Sequence, residues 1–291
     1  MSYHAFLACH ITILLIALFV STQSILTCKQ YRPDTALKLY GPLSLANKYQ
    51  MDDLRGRIIT IIERDWPVTL AQWEKFNSRM DIILKSPDNI CISNFMPEPA
   101  SAIRLALECD VPKILPAAYY HLCRIHPTKI FTDERHANDN SRRTLYARWN
   151  LLSTESVALC LNAHMKYNEH SFHIRRLFTM TQQRDRDHHA DGIGPENCRQ
   201  ILLRMCDAYF SAYSLKHDLL GSLSPFRSDS KTIRSDWGIC ERCATSLREE
   251  VEEIRSRLWN NLPLLFSLGK LSTIIIALLY ESDLSRKDSR Q

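Results

Sequence analysis

Only seven of the 291 residues are glycine, about a third of the usual share of roughly 7%. Glycine supplies the positive-φ positions of phosphate-cradling loops, βαβ nucleotide folds and tight β-turns. A chain this poor in it suits helices joined by short connections, punctuated here by twelve prolines. The apolar content of 45% is enough to bury a core, and charged residues at 24% are ordinary. The length fits one large domain or two small ones. A net charge of +5 is mild and spread out, so no nucleic-acid partner is expected.

Apolar spacing then places the helices. Pro42 reads as the start of one. Asp52 and Asp53 open the next, with Leu54, Ile58, Ile61 and Ile62 on a single stripe. It ends before Trp66-Pro67, because a residue preceding proline disfavours the helical region. Thr69-Leu70-Ala71-Gln72 is a capping box leading Trp73, Phe76 and Met80. Residues 86–94 read as an exposed connector. Pro97-Glu98-Pro99 starts a helix carrying Ile103, Ala106 and Leu107. Val111-Pro112 turns the chain into another, with Leu115, Ala118, Tyr119 and Leu122.

Three polar runs follow, at 126–143, 181–196 and 224–236, and read as loops or boundaries. Between them Ser153 caps a helix bearing Val157, Cys160, Leu161 and His164. Pro195 opens one with Cys198, Ile201, Leu202, Met205 and Tyr209. In the last long helix Leu247, Val251, Ile254 and Leu258 make the stripe. Glutamates load its first half, and Arg255 and Arg257 its second, which favours the helix dipole. Residues 262–280 are apolar but interrupted by Gly269-Lys270. A central lysine costs about 2.5–3.5 kcal/mol on insertion, so a buried or partner-facing helix is expected there.

Residues 1–28 hold no Asp, Glu, Lys or Arg, and Ile11 to Val20 is apolar except for Thr12. Three readings stand side by side: a membrane anchor through residues 5–26, a signal segment without a basic start, or a gene-model artefact. With Lys29 and Arg32 following it, the anchor reading leaves the body facing the cytoplasm.

The ten cysteines need no disulfide framework in a chain of this size, and no Asn-x-Ser/Thr sequon occurs. Most are expected to be buried thiols in a reducing compartment. Cys240-x-x-Cys243 is the sharpest local motif, since two thiolates so spaced can hold one zinc ion. Cys198 and Cys206 are the nearest cysteines. Eight residues apart on one helix, they stand about 12 Å from each other, so both do not reach one ion. His188-His189 is a further ligand source. A redox role would want a βαβ setting, which is missing. Two cysteines at a helix start is the leading reading. His164, His170 and His173 form no ordered set, and no catalytic, cofactor-binding or metal-ligating residue is assigned.

An ordered series of patches carries a resemblance. It runs from Tyr31-Arg32-Pro33-Asp34 through Leu45 to Tyr49, Met51 to Leu54, Asp65-Trp66-Pro67 and Thr69 to Trp73. It continues through Pro97-Glu98-Pro99, Ala102 to Ala106, Cys109 to Pro112 and Ile114 to Leu122. Arg148-Trp149, Leu152-Ser153, Cys240 to Cys243 and the Trp259/Leu262-Pro263 stretch extend it. In these patches the chain resembles the C-terminal part of fungal, basidiomycete-type BTB/POZ proteins. The resemblance implies a mainly α fold: the helical C-terminal part of a BTB/POZ-like domain, followed by a helical extension. Its sections are a leader at 1–28, BTB-like helices at 31–125, the extension at 126–263 and an apolar segment with a charged tail at 264–291. Nothing upstream of Tyr31 reads as the strands of the BTB sheet, which belong to that domain's N-terminal half. The implied function is a non-enzymatic adaptor with protein partners, a second copy of the chain among them, and no cofactor. The rival readings are a membrane-tethered helical protein and a small structural-zinc module on Cys240 and Cys243.

Overall fold

Helix is what apolar residues spaced three and four apart produce, and the structure follows that rule nearly throughout. The computed structural model describes residues 28–86, 91–131, 144–163, 165–166, 198, 200–205, 207, 218–227, 230–266 and 268. Among these residues there is no strand, and Ile130 and Ala147 form an isolated bridge. The chain divides into two compact units at Ser156/Val157.

The first unit holds α1 (Thr35–Lys48), α2 (Asp52–Asp65), α3 (Leu70–Lys85), α4 (Pro99–Glu108) and α5 (Leu115–Cys123). Helix α5 is buried along almost its whole length, Pro116 excepted. Helix α4, with Ile103, Leu105 and Ala106 buried, packs against it, while α1 packs on both α2 and α4. An aromatic group built from Trp66, Trp73, Phe76, Tyr120 and His121 completes the core. Trp73 and Tyr120 meet edge to face, with centroids 4.9 Å apart. The Thr69–Gln72 capping box forms as expected: Gln72 N–H donates to Thr69 Oγ1 at 3.2 Å, and Thr69 N–H donates to Gln72 Oε1 at 3.2 Å.

Four expectations are corrected. Pro42 lies inside α1 rather than at its start. A proline in a helix interior removes one hydrogen bond, at about 3 kcal/mol; the buried stripe of Ala36, Leu39, Leu43 and Ala46 carries the helix through it. The connector 86–94 is not exposed where it is described: Cys91, Ile92 and Ser93 are buried, and Ile92–Phe95 is a 3-10 turn. Leu107 is off the buried face of α4, at 49% exposure. The polar run 224–236 folds as a 3-10 turn, Ser224–Arg227, and most of helix Ser230–Trp237, because Phe226 and Ile233 are buried.

Glu98 ties the first unit together. Its carboxylate accepts the N–H groups of Ala100 (2.9 Å) and Ser101 (2.8 Å), capping α4. The same group accepts Arg148 N–H at 2.9 Å. A chain segment beyond the 126–143 run is thereby held against α4, and Ser93 adds a bond to the Thr144 carbonyl. Helices α1 and α4 each end in a left-handed residue that is not glycine, Gln50 (φ 55°) and Asp110 (φ 55°). In both, the next N–H reaches back into the helix: Met51 to the Ala46 carbonyl and Val111 to the Ala106 carbonyl, each at 2.9 Å. This is the Schellman closure, built here without its usual residue.

The second unit holds α6 (Leu219–Ser222), α7 (Ser230–Trp237), α8 (Glu241–Asn260) and α9 (Leu262–Leu265). Residues 198, 200–205 and 207 are also helical. Leu202, Met205, Leu223, Phe226, Leu247 and Val251 share its core. Arg255, in the second half of α8, is 2% exposed. Its Nη1 donates to the Leu220 carbonyl at 3.2 Å and to Ser224 Oγ at 3.3 Å, pinning α8 to α6 and the turn after it. No described helix is long and apolar enough to cross a membrane. The anchor reading of residues 5–26, the loop 181–196, most of 126–143 and the run 271–280 lie outside the described residues.

Candidate metal centre

The site begins with one of the few glycines. Gly238 ends α7 with φ +72°, a conformation other residues adopt at a cost of roughly 1–2 kcal/mol. Its N–H closes α7 onto the Arg234 carbonyl at 2.8 Å. The chain then reverses, Ile239 plugs the core, and Cys240 becomes the N-cap of α8. As a cap, Cys240 Sγ accepts the N–H of Cys243 at 3.4 Å. Cys243 therefore sits one turn into α8, on the side of the cap.

Cys198 arrives from the upstream helical run. It is fully buried, and its Sγ accepts the Cys240 N–H at 3.4 Å. The sulfurs of Cys198, Cys240 and Cys243 all lie within 4.8 Å of one another. Zinc–sulfur bonds of about 2.3 Å set tetrahedral sulfurs about 3.8 Å apart. A shift of less than about 1 Å in any pair would therefore seat one ion on all three.

Electrostatics agree with the geometry. Burial raises the pKa of the Cys198 thiol, and the Cys240 N–H offsets part of that rise. Burial also raises that of Cys243, reinforced by Cys240 beside it. Without an ion, those two sulfurs hold their protons at neutral pH. A divalent cation supplies the charge that makes thiolates stable in a low-dielectric site, so binding would release protons. The two N–H···S bonds already point at the sulfurs.

Sequence reasoning found two of the three ligand-type residues and set Cys198 aside by pairing it with Cys206. Cys206 and His188-His189 lie outside the described residues, as do His164, His170 and His173. Among the described residues no fourth ligand-type side chain joins the cluster. Of the other described cysteines, Cys91, Cys109, Cys123 and Cys160 are buried thiols and Cys28 is a half-buried one, none of them in a disulfide.

The comparisons with known proteins returned nothing: no family model, no curated protein and no solved structure matches the chain.

Proposed function

We propose that this is a non-enzymatic helical interaction protein whose second unit is organised on a zinc-class ion held by Cys198, Cys240 and Cys243. The observation that carries the metal reading is the convergence of three sulfurs within 4.8 Å at the N-terminus of α8. They come from two chain segments, so the ion would clamp the 198–207 run to α8. A structural metal does that: it contributes folding free energy outright and needs no substrate. The protein-binding role is supported by the ordered patches that resemble BTB/POZ proteins, most of which fall on the described helices of the first unit.

The test is metal analysis of the full chain purified under reducing conditions. One zinc per chain is expected, and cobalt in its place should show intense thiolate-to-metal absorption. Chelator should lower the melting temperature of the second unit, and Cys198→Ser should lose the ion. A chain that takes up no zinc or cobalt, and melts identically in chelator, overturns the metal reading.

A further inference from the structure

The first unit carries a cavity of about 520 Å³ at the start of α1, within the range of small-molecule sites. Lys29, Arg32, Lys38 and Arg148 line it, against the single carboxylate of Asp34. Asp34 is taken up by Lys38, at 2.6 Å. Arg148 has the buried Glu98 behind it, at 3.8 Å. Among the described residues, neither Lys29 nor Arg32 has a carboxylate within salt-bridge distance. Arg32 donates to a neutral acceptor, the Asn94 carbonyl, at 3.4 Å. Among the described residues, two cations thus face one cavity without a counter-charge.

Both guanidiniums are also held in place. Arg148 lies 4.0 Å over the Phe131 ring and donates to the Pro33 carbonyl at 3.1 Å. Arg32 lies 5.0 Å over Phe95. Its side chain and that of Arg148 come from segments far apart in sequence, so the cluster is built by the fold rather than by a basic run. A guanidinium already fixed by stacking loses little rotamer freedom on binding, and its planar fork matches an oxyanion.

We propose that this cavity binds a small molecule bearing a phosphate group. Arg32 and Lys29 neutralise the phosphate, Arg148 adds field from the wall, and Phe131 flanks the organic part. The inference is independent of the metal centre, which lies in the other unit.

The probes are inorganic phosphate and phenyl phosphate, titrated into the full chain by calorimetry at constant ionic strength, with chloride as the balancing anion. Saturable binding is expected, tighter for phenyl phosphate. One charge-assisted contact is worth about tenfold to a hundredfold in affinity, so Arg32→Ala should weaken binding by that factor. Lys29→Ala, which breaks no contact within the described fold, should weaken it by about tenfold. Lys113→Ala, at an exposed lysine paired with Glu63, should change nothing. Heats no different from those of chloride, or binding unaffected by both Arg32→Ala and Lys29→Ala, would overturn the proposal.

Discussion

Asp65 is the residue whose replacement should most clearly stabilise this protein. It ends α2, is 1% exposed, and accepts the Tyr31 N–H at 3.2 Å through Oδ1. Its Oδ2 has no hydrogen-bond partner. Burial pushes its pKa up from 3.8 to about 6, against the pull of the Tyr31 N–H and of Arg64. The folded state therefore holds this proton more tightly than the unfolded chain does. The stabilisation from that proton is fully present below about pH 4 and is lost as pH rises through about 6. A gap of about two pH units, at 1.36 kcal/mol each, makes the ionised carboxylate cost about 3 kcal/mol above pH 7. Asp65→Asn keeps the shape and the acceptor and removes the charge. The variant should be more stable than the parent by up to about 3 kcal/mol at pH 7.5, with the difference vanishing by about pH 4. Urea unfolding at a series of pH values measures it, with amide exchange in α2 and α3 reporting the first unit alone. A variant no more stable than the parent at pH 7.5, or one whose advantage does not shrink on acidification, refutes the reasoning.

Three further predictions concern the same unit. His121 is fully buried among aromatic rings, and burial holds its pKa well below 6.5. The unfolded chain then takes up this proton first, so His121 makes the fold lose stability as pH falls below 6.5, the opposite sign to Asp65. His121→Phe should flatten that acid limb in chemical denaturation, and an unchanged limb would tell against it. Glu98→Gln removes the charge that accepts three N–H groups and faces Arg148. It should cost about 3 kcal/mol, read as a lower urea midpoint with faster amide exchange at the start of α4. Gln50→Gly and Asp110→Gly relieve left-handed strain at the ends of α1 and α4, and each should raise stability by about 1 kcal/mol; a drop in melting temperature would contradict the closure described.

How far the fold was legible depended on which force set each element. Where burial and local chemistry agreed, the sequence sufficed: the α2 stripe, the Thr69–Gln72 box and the α8 stripe all stand as expected. It misled where a local signal was outvoted by packing. A proline is a start signal by its missing donor, yet Pro42 is carried inside α1 by four buried neighbours on one face. The 224–236 run looks like loop because charge and serine dominate it. Two buried side chains, Phe226 and Ile233, are enough to fold most of it against α8. Glu98 was visible only as part of a helix start. Its second role, accepting an N–H from residue 148, rests on a contact between positions far apart in the chain, which no local pattern encodes.

The metal site shows the same limit from the chemical side. The Cys-x-x-Cys spacing is local, and a helix N-terminus is a sound place for it. The third sulfur is not local. The distance between Cys198 and Cys206 along a helix says only that both are not expected to reach one ion. It does not say that neither does, and Cys198 is buried in the core beside Cys240. The bridge between them is a backbone N–H, so it leaves no trace in side-chain identity. What the sequence does carry is Gly238: in a chain with so few glycines, one placed two residues before a Cys-x-x-Cys pair marks where the backbone must turn through positive φ to present those sulfurs. The scarcity of glycine, which first argued for helices, thus also picks out the turn that builds the candidate site.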